Sequence, residues 1–195
     1  IATEGPREAA ARSTHDEVAA LRGARIYVTN CRMCHGMNGL GQEEGGIAPA
    51  LNNVAFLVLA KDNAFNLPPT PAGDIQSIHD FLFTTLSCGR TNTAMPVWSE
   101  KHGGPLSETQ VNYLVHLITT GRWDLVTEIG HEHDQGTGDT KDTILVKDPA
   151  SLSLTTKNCG QFNQITAADL YARDPSAIKK AASGGGAAPA AAAKK

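Results

Sequence analysis

Aromatic side chains make up only 5% of this 195-residue chain, so a core that relied on them would be thin for its length. Long hydrophobic runs are missing too. The longest, Val54 to Ala60, falls far short of the roughly 18 residues a membrane span requires. The chain opens on Ile1 rather than Met, which leaves open a signal, lipid anchor or span upstream. No basic stripe interleaved with aromatics occurs before the C-terminal tail, which argues against a nucleic-acid partner. There is no internal repeat, and the cysteines number only four. What is plentiful is loop-forming residues, with 19 glycines and 10 prolines.

The net charge of -3 is unevenly spread. Residues 31–123 carry seven acids and five bases, 124–172 eight acids and three lysines, and 173–195 five bases and one acid. These shifts mark boundaries. Residues 1–13 form a lead-in, 14–123 a helical domain, 124–175 an irregular, partly β extension, and 176–195 a low-complexity Ala, Gly and Lys tail with little to bury. Thr14 to Glu17 has the form of a capping box ahead of Val18, Leu21, Ala24, Tyr27 and Val28, spaced for one helix face that stops near Asn30. A second box, Ser107 to Gln110, precedes Val111, Leu114, Val115 and Ile118, with Gly121 as the stop. Ile75, Ile78, Leu82 and Leu86 make another amphipathic helix, and a short apolar helix starts after Asn53. Past Trp123 the β-prone Thr143 to Val146 ends at Asp148-Pro149.

The sharpest chemical signal is Cys31-Arg-Met-Cys34-His35. Two thiols at this spacing on a helix end can reach both vinyl groups of one haem, and the adjacent His then serves as a proximal iron ligand. A zinc site would need a second short-spaced pair, and only the distant Cys88 and Cys159 remain. A thioredoxin-like dithiol would follow a strand, whereas here a helix leads in. A six-coordinate iron needs a second ligand. Met33 and Met37 lie too close to His35 to cross to the opposite haem face, which leaves Met95 in Thr93 to Trp98, with His102 as its rival.

These elements resemble a class I c-type cytochrome. The resemblance rests on the helix into Cys31-x-x-Cys34-His35-Gly36, the Gly-rich loop ending Ile47-Ala-Pro49-Ala-Leu51, Met95-Pro96 with Trp98, and the helix through Tyr113-Leu114. It implies an all-α haem domain with one covalent haem c and His35 and Met95 on the iron. It also implies that the Pro49 carbonyl accepts the His35 ring N–H, and that Trp98 packs near the haem or bonds a propionate. Such cytochromes acquire haem outside the cytoplasm, where disulfides persist, so the leftover Cys88 and Cys159 are expected to pair. Closing a loop of about seventy residues contributes roughly 4 kcal/mol in the chain-entropy model.

With His and Met both bound, outer-sphere electron transfer is the expected chemistry, and the chain by itself is read as a carrier, not an enzyme. The alternative is a peroxidase-like haem protein with a labile Met95. Lysine is scarce between residues 31 and 123, so the basic docking ring of mobile mitochondrial-type cytochromes is missing. That favours a subunit of a membrane-bound respiratory or photosynthetic complex on the periplasmic side over an independent periplasmic carrier. Its partners would be other electron-transfer subunits and a soluble acceptor, either a small copper protein or a cytochrome. Membrane association would come through those subunits or an unseen N-terminal anchor. The segments around Cys159 and Ala168 to Ala172 weakly resemble the monohaem subunit of bacterial alternative complex III. The remaining histidines read as structural: His131 and His133 on a solvated acidic loop, His79 packed on its helix, and His116 on the surface.

Overall fold

The computed structural model describes residues 4–53, 56–57, 78–90 and 92–137. Its helices are α1 (Glu4–Asn30), α2 (Arg32–His35), α3 (Ile78–Cys88), α4 (Glu108–Thr120) and α5 (Trp123–Asp134), with short 3-10 turns at Gly41–Glu44 and Glu100–His102. Among the described residues there is no strand, only a single parallel bridge between Ser99 and Leu106. The all-α expectation holds for this part. The β-prone Thr143 to Val146, Cys159 and the tail lie outside the described residues. No helix among the described residues is long and apolar enough to cross a membrane.

The centre of the fold is the crossing of α1 and α4. Ala20, Ala24, Tyr27 and Val28 recur at helical spacing and are buried. At Gly23 a Cβ would lie 2.2 Å from the backbone oxygen of Tyr113, so only glycine lets the two helices approach this closely. The α4 helix starts as its sequence dictates. Ser107 Oγ accepts from the Gln110 N–H at 3.3 Å, and Gln110 Oε1 accepts from the Ser107 N–H at 2.8 Å, forming the capping box. It ends at Gly121, whose left-handed φ of 67° lets its N–H reach the Leu117 carbonyl.

Two expectations need correction. The Thr14 box does not start a helix, because α1 already runs from Glu4 and the Thr14 hydroxyl bonds back to the Ala10 carbonyl at 3.0 Å. Alanines 9–11 and Arg12 are strong helix formers that carry the helix through the box. Residues 4–18 of α1 are exposed, Val18 included, and burial begins at Ala19. The segment after Trp123 is also not irregular at its start. Residues 123–134 are helical and pack on α1, with Trp123 and Val126 buried. Its polar composition hid two apolar positions three residues apart, enough for one face on a core.

Candidate metal centre

The end of α1 builds the site. The Cys31 N–H continues its ladder to the Tyr27 carbonyl at 2.8 Å, and the Cys34 and His35 N–H groups both reach the Cys31 carbonyl, at 3.1 and 2.9 Å. One helical turn therefore gathers Cys31, Cys34 and His35. Gly36 stops it with a φ of 81°. Cys31 and His35 are buried, Cys34 is half-buried, and both cysteines are free thiols. Burial, reinforced by the neighbouring Cys34, pushes the Cys31 thiol up to about 12. Burial lowers the pKa of His35 and outweighs the opposing effect of the Pro49 hydrogen bond.

His35 Nδ1 lies 2.9 Å from the Pro49 carbonyl. A carbonyl only accepts, so Nδ1 carries the proton and Nε2 is left with its lone pair for a metal. The loop that delivers Pro49 is closely fitted. At Gly41, with φ at +58°, a Cβ would lie 2.3 Å from the Ala48 oxygen and 2.7 Å from the Pro49 carbonyl carbon. The Ala48 N–H bonds the Cys34 carbonyl at 3.0 Å.

The second segment is the loop after α3. The Trp98 N–H bonds the Leu86 carbonyl at 3.2 Å, and the Arg90 N–H bonds the Met95 carbonyl at 3.1 Å. Met95 is half-buried and packs on the same apolar cluster that contains Cys31 and Trp98. Trp98 itself is buried, and its indole Nε1 has no hydrogen-bond partner among the described residues. A buried donor of this kind suits an acceptor that arrives with a ligand, such as a carboxylate. Two thiols, an imidazole with a free Nε2, a thioether and an orphaned indole N–H make a donor set that fits haem c.

The other candidates are placed as follows. Met33 is 84% exposed, and Met37 packs against α5, where a Cβ on Gly130 would come within 2.3 Å of its sulfur. His131 and His133 lie in the last turn of α5 rather than on a loop, with Asp134 bonded to Arg32 at 3.1 Å and His133 Nδ1 3.3 Å from the same guanidinium. That pairing holds the Asp134 carboxyl below its usual range. Among the described residues, no cluster of three or more His, Cys, Asp or Glu side chains could hold a bare metal ion. His79 is exposed and stacks on Phe83 instead of packing in the apolar stripe. His116 Nε2 donates to the Asp16 carbonyl at 3.0 Å, half-buried between α4 and α1. His102 is half-buried in its 3-10 turn. Cys88 is buried at the end of α3, and Cys159 lies outside the described residues.

A family model described as Cytochrome C oxidase, cbb3-type, subunit III matches residues 18–118, just over half of the chain. The chain belongs to that family. It is a c-type cytochrome, a haem-based electron carrier, and haem c is covalently bound in such domains, typically one in each. Cytochromes of this type generally work outside the cytoplasm. No curated protein and no solved structure matches the chain.

Two residues that shape the loop around His35 in this c-type cytochrome carry no signature in the sequence. The Tyr27 hydroxyl donates to the Gly36 carbonyl at 2.8 Å. The Glu44 carboxylate accepts from the Asn38 N–H, the Asn38 side-chain amide and the Leu40 N–H. In sequence Tyr27 is one position on an apolar helix face, and Glu44 carries no motif of its own. The left-handed signals Gly36, Gly39 and Gly41 gave the only hint that the loop between them needs an internal anchor.

Proposed function

We propose that this c-type cytochrome relays single electrons as a subunit of a membrane-bound quinol-oxidising or other respiratory or photosynthetic complex on the periplasmic side. Cys31 and Cys34 would hold the haem through thioethers, His35 and Met95 would ligate its iron, and Trp98 would donate to a propionate. When bound, the haem supplies a one-electron ferric/ferrous couple, and the protein supplies its ligands, burial and orientation. The observation that carries this reading is His35, buried beside two free thiols with Nδ1 committed to Pro49.

Other features support the finer assignment. A chain without a lysine ring around the haem segment suits a fixed place in an assembly better than steered encounters with acidic partners. The acceptor on this reading is a small copper protein or a cytochrome, and alternative complex III is the specific assembly. A Cys88–Cys159 disulfide, tying residues 124–175 to the haem domain, is supported by the free thiols of the described residues being Cys31 and Cys34.

The test is spectroscopic and then biochemical. A pyridine haemochrome assay is expected to show one covalent haem with two thioethers, and the oxidised protein a sulfur-to-iron charge-transfer band. Met95→Ala is expected to abolish that band and lower the reduction potential. A high-spin wild-type spectrum with rapid cyanide or peroxide binding would replace the carrier by the peroxidase-like reading. Purification from native membranes is expected to bring quinol-oxidising subunits with it, and recovery as a single free chain would overturn the assembly.

A further inference from the structure

Asn38 stands three residues past His35, and each of its polar atoms is engaged. Its N–H and its side-chain amide both donate to the Glu44 carboxylate, at 2.9 and 2.6 Å. Its carbonyl accepts from Asn52 Nδ2 at 3.0 Å. Its side-chain oxygen, at 2.8 Å, is the nearer of two acceptors for the Thr127 hydroxyl proton, the other being the Trp123 carbonyl at 3.1 Å, and Thr127 lies on α5, beyond the residues that match the family. The Leu40 N–H adds a third bond to Glu44 at 3.1 Å. The turn from 38 to 41 is thus fixed from inside the loop by Glu44 and from outside by Thr127.

That turn holds the partner of His35. The Gly39 carbonyl accepts from the N–H groups of both Leu51 and Asn52, at 2.7 and 2.9 Å. Pro49 sits two residues before Leu51, and a Cβ on Gly41 would lie 2.7 Å from its carbonyl carbon. A shift of Asn38 therefore moves Gly39, the 49–52 segment that hangs from it, and the oxygen that accepts the His35 proton.

We propose that Thr127, acting through Asn38, is a positioning residue that keeps the Pro49 carbonyl on His35 Nδ1 and thereby lowers the reduction potential of the site. The proposal rests on His35 being the proximal ligand. A carbonyl drawing on the Nδ1 proton makes Nε2 a stronger donor, which favours ferric iron. Loosening that bond raises the potential. The extension after the matched domain thus tunes the haem site through one hydroxyl.

Thr127→Val is the test, because it removes the hydroxyl with little change in shape or helix propensity and no change in charge. Haem attachment and the charge-transfer band are expected to match wild type. The ferrous-to-ferric ratio at a fixed ambient potential is expected to rise at least threefold, about 28 mV for a one-electron couple. Hydrogen exchange at the Leu51 and Asn52 amides is expected to quicken. Thr127→Ser, which keeps the hydroxyl, restores both. A Thr127→Val protein with the wild-type potential and wild-type amide protection overturns the proposal, whatever its melting temperature. If that variant does not accumulate, Thr127→Ala removes the same hydroxyl and is held to the same outcomes. Failure of the proximal-ligand reading is seen separately, in a wild-type protein without covalent low-spin haem.

Discussion

Replacing Tyr27 by Phe separates the two jobs of a fully buried residue. The ring packs edge-on against Trp123, with centroids 5.2 Å apart at 78°, and Phe preserves that contact. The hydroxyl donates to the Gly36 carbonyl at 2.8 Å, whose other described donor is the Gly39 N–H at a long 3.4 Å. Losing the phenol leaves that carbonyl poorly satisfied in the interior, so Tyr27→Phe is expected to cost about 1–2 kcal/mol at neutral pH. The pH dependence is sharper. Burial, before any nearby charge, pushes the Tyr27 phenol well above its ordinary value of 10.0. Above about pH 10 the unfolded chain releases this proton while the native state keeps it. The unfolded state then binds fewer protons, and stability falls by about 1.4 kcal/mol per pH unit from this residue alone. Phe carries no such proton. The stability curves of wild type and Tyr27→Phe, from urea unfolding at a series of pH values with the haem covalently retained, are therefore expected to be separated below pH 10 and to meet near pH 11. Curves that stay parallel through that range would refute the burial argument, and curves that coincide below pH 10 would refute the hydrogen-bond argument.

Gly39→Ala places a Cβ 2.5 Å from the Trp123 ring at a φ of +68°, and left-handed strain plus overpacking is expected to cost roughly 2–5 kcal/mol in chemical unfolding. Gly45→Ala, at +81° with nothing within 4 Å, is expected to lose only the strain, roughly 1–2 kcal/mol. Equal losses would mean that the Gly39–Trp123 contact does not constrain the loop. Ser107→Ala removes the acceptor for the Gln110 N–H at the start of α4 and is expected to cost roughly 0.5–2 kcal/mol. No change in thermal stability would show that the α1–α4 crossing holds the helix without its cap.

Local chemistry was legible in the sequence wherever a residue's role depends on its near neighbours. The Cys31, Cys34 and His35 spacing, the Ser107 cap and the Gly121 stop each act within one or two helical turns, and the structure builds each as its residues dictate. The Pro49 carbonyl on His35 followed from the family resemblance, and the geometry supplies it at 2.9 Å. The Thr14 box misled because a capping motif marks a start only where the preceding residues do not already form a helix. Ahead of it, alanines 9–11 and Arg12 are favourable helix residues.

How distant segments bear on that motif is settled by contacts across the fold. Residues 124–134 carry charge and few apolar side chains, so pattern alone read them as the start of an irregular extension. In the fold they form most of a helix that sets Trp123 on Tyr27, Thr127 on Asn38 and Asp134 on Arg32. Those bonds join residues roughly ninety to a hundred positions apart, and no local periodicity encodes a pairing across that distance. The donor atoms of Cys31, Cys34 and His35 were legible locally, because thiol spacing and an adjacent imidazole are properties of one helical turn. Which imidazole nitrogen of His35 keeps its lone pair, and what holds the opposite one, is settled only on folding, because a tautomer is fixed by a partner that tertiary contact brings within reach.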